Sequence, residues 1–332
     1  MRMRIGIWKP QQDTMSVKIY TDNIVLYLQK HEHELFFFGK DDSIPDVDII
    51  WDPTCTGARY PNRKILQTNI PWLVTLHGAA NLSMPLRDTF GESFSDKIKG
   101  FFINAKRKLM WQLYKHKVAH VVTVSNFAKE EIIHQLNLES NQISVIYHGY
   151  DDTLFYRQSG AKPYFFHVSM YQPKKNVEKI IEAYQLIKDE NKLPLIIVCP
   201  NYPNKISDEK IQLITAKTES KQIAKYLKEA YAFIFPSTHE SFGMPLLEAM
   251  ACGVPVITSN STACKEVTKN AGVLVDANST EEIKNAMQLL MNDKTLHDSL
   301  SKKSLDVAST YSWEKAGFLH TEIFKRYAIQ IG

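Results

Sequence analysis

Short apolar runs alternate with polar stretches of helical periodicity along nearly the whole chain. In the first half the apolar runs fall at 4–8, 35–38, 47–51, 72–76, 118–124 and 143–146, and helical spacing of apolar positions fills 16–29, 97–117 and 128–136. In the second half strands are expected at 164–168, 195–200, 231–235 and 254–258. Helices are expected up to residue 187, over 220–230, 279–291 and 296–309, and from 311 onward. Strands that alternate with helices predict an α/β protein with doubly wound parallel sheets. The stretch Gln158-Ser159-Gly160-Ala161-Lys162-Pro163 breaks the pattern and reads as a linker. The expected domains are therefore 1–157 and 158–310, with a terminal helix over 311–332.

The densest signal lies between residues 233 and 259. A buried strand ends at Pro236-Ser237, a polar loop follows, and a helix opens at Pro245 and closes at Gly253 before the next strand begins at Val254. Glu240 sits in the loop at the carboxyl end of the strand, where open α/β sheets bind ligands, and Glu248 is expected in the first helical turn. Between them the backbone N–H groups around Ser241, Phe242, Gly243 and Met244 lie at the positive end of the helix and suit a phosphate. Gly243 leaves room for an anion to approach the main chain. A diphosphate on the helix start, with a carboxylate on each side to accept sugar hydroxyls, describes a nucleotide-sugar site. Two adjacent lysines, Lys174 and Lys175, in the loop after the 164–168 strand suit the same diphosphate as mobile point charges.

Composition narrows the class. The chain of 332 residues fits two domains, and its 44% hydrophobic content supports packed cores. The net charge of +4 does not call for a nucleic-acid partner. Cys55, Cys199, Cys252 and Cys264 form no C-x-x-C pair, so neither a zinc knuckle nor a disulfide framework is indicated, and a cytoplasmic setting is expected. No run approaches the about 18 apolar residues of a membrane span. A dinucleotide-binding oxidoreductase needs G-x-G-x-x-G after its first strand, and Gly6 is the only glycine before Gly39. Asp46-Val47-Asp48 precedes an apolar run and reads as a polar strand entry, not a metal site.

The phrase PSTHESFGMPLLEAMACGVPVITS resembles the retaining glycosyltransferases of the GT-B fold, family four, whose motif is a Glu, seven residues and a second Glu. The resemblance covers most of 72–330. It includes Val74-Thr75-Leu76-His77-Gly78, the segment from Val122 through Ser125 to Lys129, the turn Ile146 to Asp151 with His148 in place of the usual Asn, and Ala271 to Asp276. It implies two Rossmann-like domains facing a cleft, with the terminal helix crossing back to the first. It places His77 beside the donor sugar, Lys175 on the donor phosphates, Glu248 on the ribose and Glu240 near the reacting carbon. Two departures stand out: Met170 occupies a position commonly held by Arg, and the loop from Lys9 to Met15 lacks the family's glycines.

Residues 97–117 carry seven basic residues and no acid, interleaved with Phe101, Phe102, Ile103, Leu109, Met110 and Trp111. Such a helix either lies on an anionic membrane surface or packs in the core with a solvated basic face. The expected function is retaining, metal-independent and cofactor-free transfer of a sugar from a nucleotide-diphosphate sugar to a glycan or lipid-linked acceptor. That transfer would serve cell-surface polysaccharide synthesis, at or near the inner membrane face. A nucleotide-sugar epimerase on the same fold and a non-catalytic partner subunit are the alternatives. A nucleic-acid binder would need a recognisable module, and none is present.

Overall fold

The computed structural model describes residues 2–9, 14–57, 59–158, 163–190 and 192–328. Positions 10–13 of the glycine-free first loop and 159–162 of the expected linker lie outside the described residues. The chain divides into two compact units, one comprising Met1–Gly149 with Ser312–Gly332 and the other Tyr150–Tyr311. The division thus falls after Gly149, ahead of the Gln158–Pro163 composition break.

In the first unit β1 (Arg4–Trp8), β2 (Glu34–Phe38), β3 (Ile49–Cys55), β4 (Trp72–Leu76), β5 (Val118–Thr123) and β6 (Ile143–Val145) form one parallel sheet in the order β2-β1-β3-β4-β5-β6. The central strands are buried along their whole length, as a sheet covered on both faces requires. Asp46 and Asp48 both hold Arg4: the Arg4 guanidinium donates to Asp46 at 2.7 Å and the Arg4 N–H donates to Asp48 at 2.7 Å. They fasten the strand entry.

The terminal helix, Trp313–Tyr327, belongs to this first unit and packs on the Met15–Lys30 helix. Its start is capped by the Ser312 hydroxyl, which accepts from the Lys315 N–H at 3.1 Å. A directional chain of hydrogen bonds ties it to the sheet. Trp51 Nε1 donates to the Thr75 hydroxyl at 3.0 Å, Thr75 pairs with the Tyr20 hydroxyl at 2.9 Å, and Tyr20 meets His320 Nε2 at 2.6 Å. His320 Nδ1 lies 2.7 Å from the Ala316 carbonyl, so Nδ1 carries the proton and Nε2 accepts from Tyr20. Thr75, Tyr20 and His320 then each give and receive, between the Trp51 donor and the Ala316 acceptor, and none is buried without a partner. Gly149 is required here, because a Cβ on it would fall 2.1 Å from the Trp313 nitrogen.

In the second unit β7 (Phe165–Val168), β8 (Leu195–Val198), β9 (Ile211–Ile214), β10 (Ala232–Phe235), β11 (Val256–Ser259) and β12 (Gly272–Val275) form a parallel sheet in the order β12-β11-β10-β7-β8-β9. The Ile211–Ile214 strand and the Thr262–Thr268 helix were not expected from periodicity; both are too short to show a period. All four cysteines are buried and free.

Candidate active site

The strand order of the second unit decides where a ligand binds. From β7 the chain winds outward through β8 and β9, then returns to β10 on the other side of β7 and winds outward again. Loops leaving the carboxyl ends of β7 and β10 therefore diverge, which opens a crevice at the switch point. The loop after β7 carries Lys174 and Lys175, and the loop after β10 carries Glu240, Ser241, Phe242 and Gly243.

Both loops are locked before any ligand arrives. After β7 a single 3-10 turn, Pro173–Lys175, ends at Asn176 in the left-handed region, φ 62°. Asn tolerates that conformation better than most side chains. The buried Asn176 amide donates to the Pro236 carbonyl at 3.0 Å and to the Ala277 carbonyl at 2.6 Å, joining three loops at one point. The Thr238 N–H donates to the Lys174 carbonyl at 2.9 Å. Beneath them His167 Nδ1 donates to the Ile234 carbonyl at 2.7 Å and Nε2 accepts from the Ser169 hydroxyl at 2.8 Å. Burial holds His167 neutral, with its pKa lowered to about 4.

On this frame Lys175 Nζ donates to Glu240 Oε1 at 2.5 Å. Burial alone would raise the Glu240 pKa; the positive charges of Lys175 and Lys174 outweigh it and hold the carboxyl below its ordinary value. An ammonium has three donors, and one bond to Glu240 leaves two for a diphosphate. The ammonium also lies 5.1 Å from the Phe235 ring centroid. A Cβ built on Gly243 would sit 3.9 Å from the same ring, which puts the helix start and the lysine around one aromatic side chain.

That helix, Met244–Ala251, begins without a side-chain cap, and Gly243 at the N-cap has φ 91°. Uncapped first-turn N–H groups are the usual seat of an anion. Pro245 is the second helical residue, not the first, and Glu248 is the fifth, in the second turn. The reason is that the helix starts one residue earlier, at Met244. Glu248 is partly covered; burial, then the nearby Asp151 carboxylate, pushes its pKa up to about 7. The two acids thus sit in different charge environments, Glu240 among lysines and Glu248 near an acid.

His77 belongs to the first unit. It follows β4, and its Nε2 donates to the Pro53 carbonyl at 2.7 Å, leaving Nδ1 as the acceptor. Its ring lies 4.8 Å from Tyr20 and 6.0 Å from His148. Burial lowers its pKa to about 4, so it is a neutral side chain near neutral pH. Met170 is exposed in the loop after β7. Among the described residues no three His, Cys, Asp or Glu side chains gather as a metal site.

Asn176, Thr238 and His167 organise the site, and sequence reasoning gave them no role. Asn176 had one local signal, the Pro-Lys-Lys-Asn order, in which Asn ends a turn. His167 had none, because a histidine inside an apolar run does not show which carbonyl crosses from the next strand.

Comparison with known proteins agrees with this architecture. The family profile for glycosyl transferases group 1 matches residues 156–306, and that for glycosyltransferase family 4 matches residues 39–154. The O-antigen chain mannosyltransferase B of Escherichia coli is 28% identical over 218 residues, covering 58% of this chain and 57% of its own length. The O-antigen chain mannosyltransferase RfbU of Salmonella typhimurium is 28% identical over 263 residues, covering 74% of this chain and 69% of its own length. This chain thus spans little more than half of the first of these relatives. The solved structure of a sucrose-phosphate synthase from Thermosynechococcus elongatus superposes with a TM-score of 0.77 at 16% identity, covering 98% of this chain and 99% of that one. With the two profiles meeting near the division between the units, the chain belongs to the GT-B glycosyltransferases of group 1, family four type.

Proposed function

We propose that the protein transfers a sugar from a nucleotide-diphosphate sugar to a glycan or lipid-linked acceptor in cell-surface polysaccharide synthesis, on the cytoplasmic side of a membrane. The single observation that carries the reading is the Lys175–Glu240 pair, held by Asn176 at a switch point beside an uncapped helix start. The names of the two mannosyltransferase relatives support the acceptor class, a growing polysaccharide.

In this reading the diphosphate lies on the first-turn N–H groups and takes the remaining donors of Lys175, with Lys174 behind it. Glu248 accepts ribose hydroxyls as a carboxylate. Glu240 accepts hydroxyls of the transferred sugar while it orients Lys175. As the bond from the anomeric carbon to the diphosphate oxygen breaks, negative charge grows where these donors already point, which is electrostatic catalysis without a metal. The acceptor hydroxyl bonds to the same face of the anomeric carbon and passes its proton to the departing phosphate oxygen, so configuration is retained. His77, whose pKa burial lowers to about 4, is a weak base, and this reading gives it no proton to carry.

The test is calorimetric titration with UDP, GDP, ADP and CDP and their common sugars, on the parent and on Lys175→Ala and Glu248→Ala. Binding of one nucleotide, weakened in both variants, is the expected result. Tight binding that neither variant weakens would move the donor site elsewhere, and binding of none would favour a non-catalytic partner role.

A further inference from the structure

The Phe94–Tyr114 helix of the first unit carries an exposed apolar stripe that the catalytic reading does not use. Its start is set by Ser93, whose hydroxyl accepts from the Asp96 N–H at 3.1 Å, so the helix begins three residues before the basic stretch. At about 100° per residue, Phe94, Ile98, Phe101, Phe102, Leu109 and Leu113 fall within an arc of about 120°. All six are exposed, Phe94 to 79% and Phe102 to 67%. The face turned to the protein is a different one: Trp111 donates to the Arg59 carbonyl at 3.1 Å, Asn104 donates to the Asn81 carbonyl at 2.8 Å, and Gly100 passes too close to Phe90 to admit a Cβ. Trp111 is thus buried in the core, while Phe94, Ile98, Phe101, Phe102, Leu109 and Leu113 point away from it, so the core does not account for the outer apolar stripe.

Charge borders the stripe on both sides. Lys99 and Lys106 run along one edge, both exposed, and the exposed Lys117 follows in the 3-10 turn Lys115–Lys117 that continues the helix. Lys97 and Lys108 run along the other with Lys115, whose ammonium donates to the Asn137 carbonyl at 2.7 Å. The acidic Asp96 falls outside the stripe and its edges, on the far side of the helix. An apolar stripe between two rows of lysine is the layout of a helix lying in a lipid interface, the apolar side chains sunk about 5–10 Å and the ammonium groups reaching back to phosphates. Pairing with a second copy would bring lysine rows against lysine rows, which like charge opposes.

We propose that this helix docks the first unit on an anionic lipid bilayer, lying parallel to the surface over about 30 Å. No helix of the described residues is long and apolar enough to cross a membrane, so the contact is with one leaflet.

The experiment is flotation of the full chain with phosphatidylcholine vesicles, with and without phosphatidylglycerol at about a third of the lipid. It compares the parent with Phe101→Ser/Phe102→Ser/Leu109→Ser and with Lys99→Ser/Lys106→Ser/Lys117→Ser. The expected result is binding by the parent that requires phosphatidylglycerol. Losing three lysines should weaken it about 100-fold, each being worth about a factor of five near an anionic surface, and losing the apolar residues should abolish it. Melting temperatures of both variants should match the parent, because the changed side chains are exposed. Absence of parent binding, equal binding by parent and variants, or a parent dimer that the serine variants dissociate would each overturn the proposal. No nucleotide is present in this assay, so its failure leaves the transferase reading standing.

Discussion

The two units share one plan and use it for opposite ends. In both, parallel strands wind outward from a switch point, at β1 and β3 in the first unit and at β7 and β10 in the second. The second unit gathers charge there. Lys174, Lys175 and Glu240 are held by the Asn176 strut, so the electrostatics of the site are set before a ligand enters. The first unit instead gathers neutral polar rings around its sheet. Tyr20, His77, His148 and His320 lie within ring-to-ring distances of 4.8–6.0 Å, and the directional chain from Trp51 to Ala316 binds the terminal helix. Paired charge suits the diphosphate of the proposed function, and neutral hydrogen-bonded aromatics suit a joint that must hold a helix. The same fold accepts either, because function rests on side chains at the strand ends.

The largest effect expected from this contrast is acid sensitivity concentrated in the first unit. Burial lowers the pKa values of His77, His120 and His320 to about 4 and that of His148 well below its ordinary value, whereas the second unit holds one such histidine, His167. A neutral folded histidine faces an unfolded chain that takes up a proton below about pH 6.5. The stability these groups contribute is therefore full above that pH and is lost as pH falls toward 4. At about pH 5 the loss is on the order of 1–2 kcal/mol for each of the three histidines at about 4. Hydrogen exchange at pH 7 and pH 5 should show amides of β3–β5 opening first; equal acceleration in β7–β11 would break the contrast.

Next in size is the charge pair of the second unit. Lys175→Ala should lower kcat/KM about 100- to 1,000-fold and also destabilise the fold, because Glu240 is left buried and uncompensated. Lys175→Met with Glu240→Gln should recover most of the melting temperature but not the activity. A single variant that loses stability alone, with kcat/KM intact, would reduce the pair to a structural one.

Smaller is the glycine at the joint. Gly149→Ala would drive a Cβ onto the Trp313 backbone and should cost about 1–3 kcal/mol. Limited proteolysis should then release the Trp313–Tyr327 helix early while donor binding by the second unit persists.

The smallest is the proton on Glu248. With its pKa raised to about 7, the carboxylate to which the proposed function gives the ribose hydroxyls is half formed at neutral pH. Nucleotide affinity should therefore rise, by less than about tenfold, between pH 6 and pH 8. Glu248→Gln should flatten that slope, and a slope that persists in the variant would assign it to another group.

The amino-acid sequence by itself determined most of the order of strands and helices, the two-sheet α/β plan and the residue types gathered near Glu240. Strands such as Arg4–Trp8 and Trp72–Leu76 carry their signal locally, as apolar runs between polar breaks, and the glycines and prolines around 243–253 mark a helix from its ends. Lys175 and Glu240 were each legible as candidates. Only the tertiary structure decided that they touch, since they stand 65 residues apart and the crossing from β9 back to β10 brings them together. It alone decided that Asn176 joins three loops, and that raised and lowered pKa values separate two glutamates of one motif. It decided, too, that Phe101, Phe102 and Leu109 of the 97–117 stretch face outward while Trp111 packs inward. Periodicity tells which residues share a face of a helix, and packing alone tells which face the protein covers.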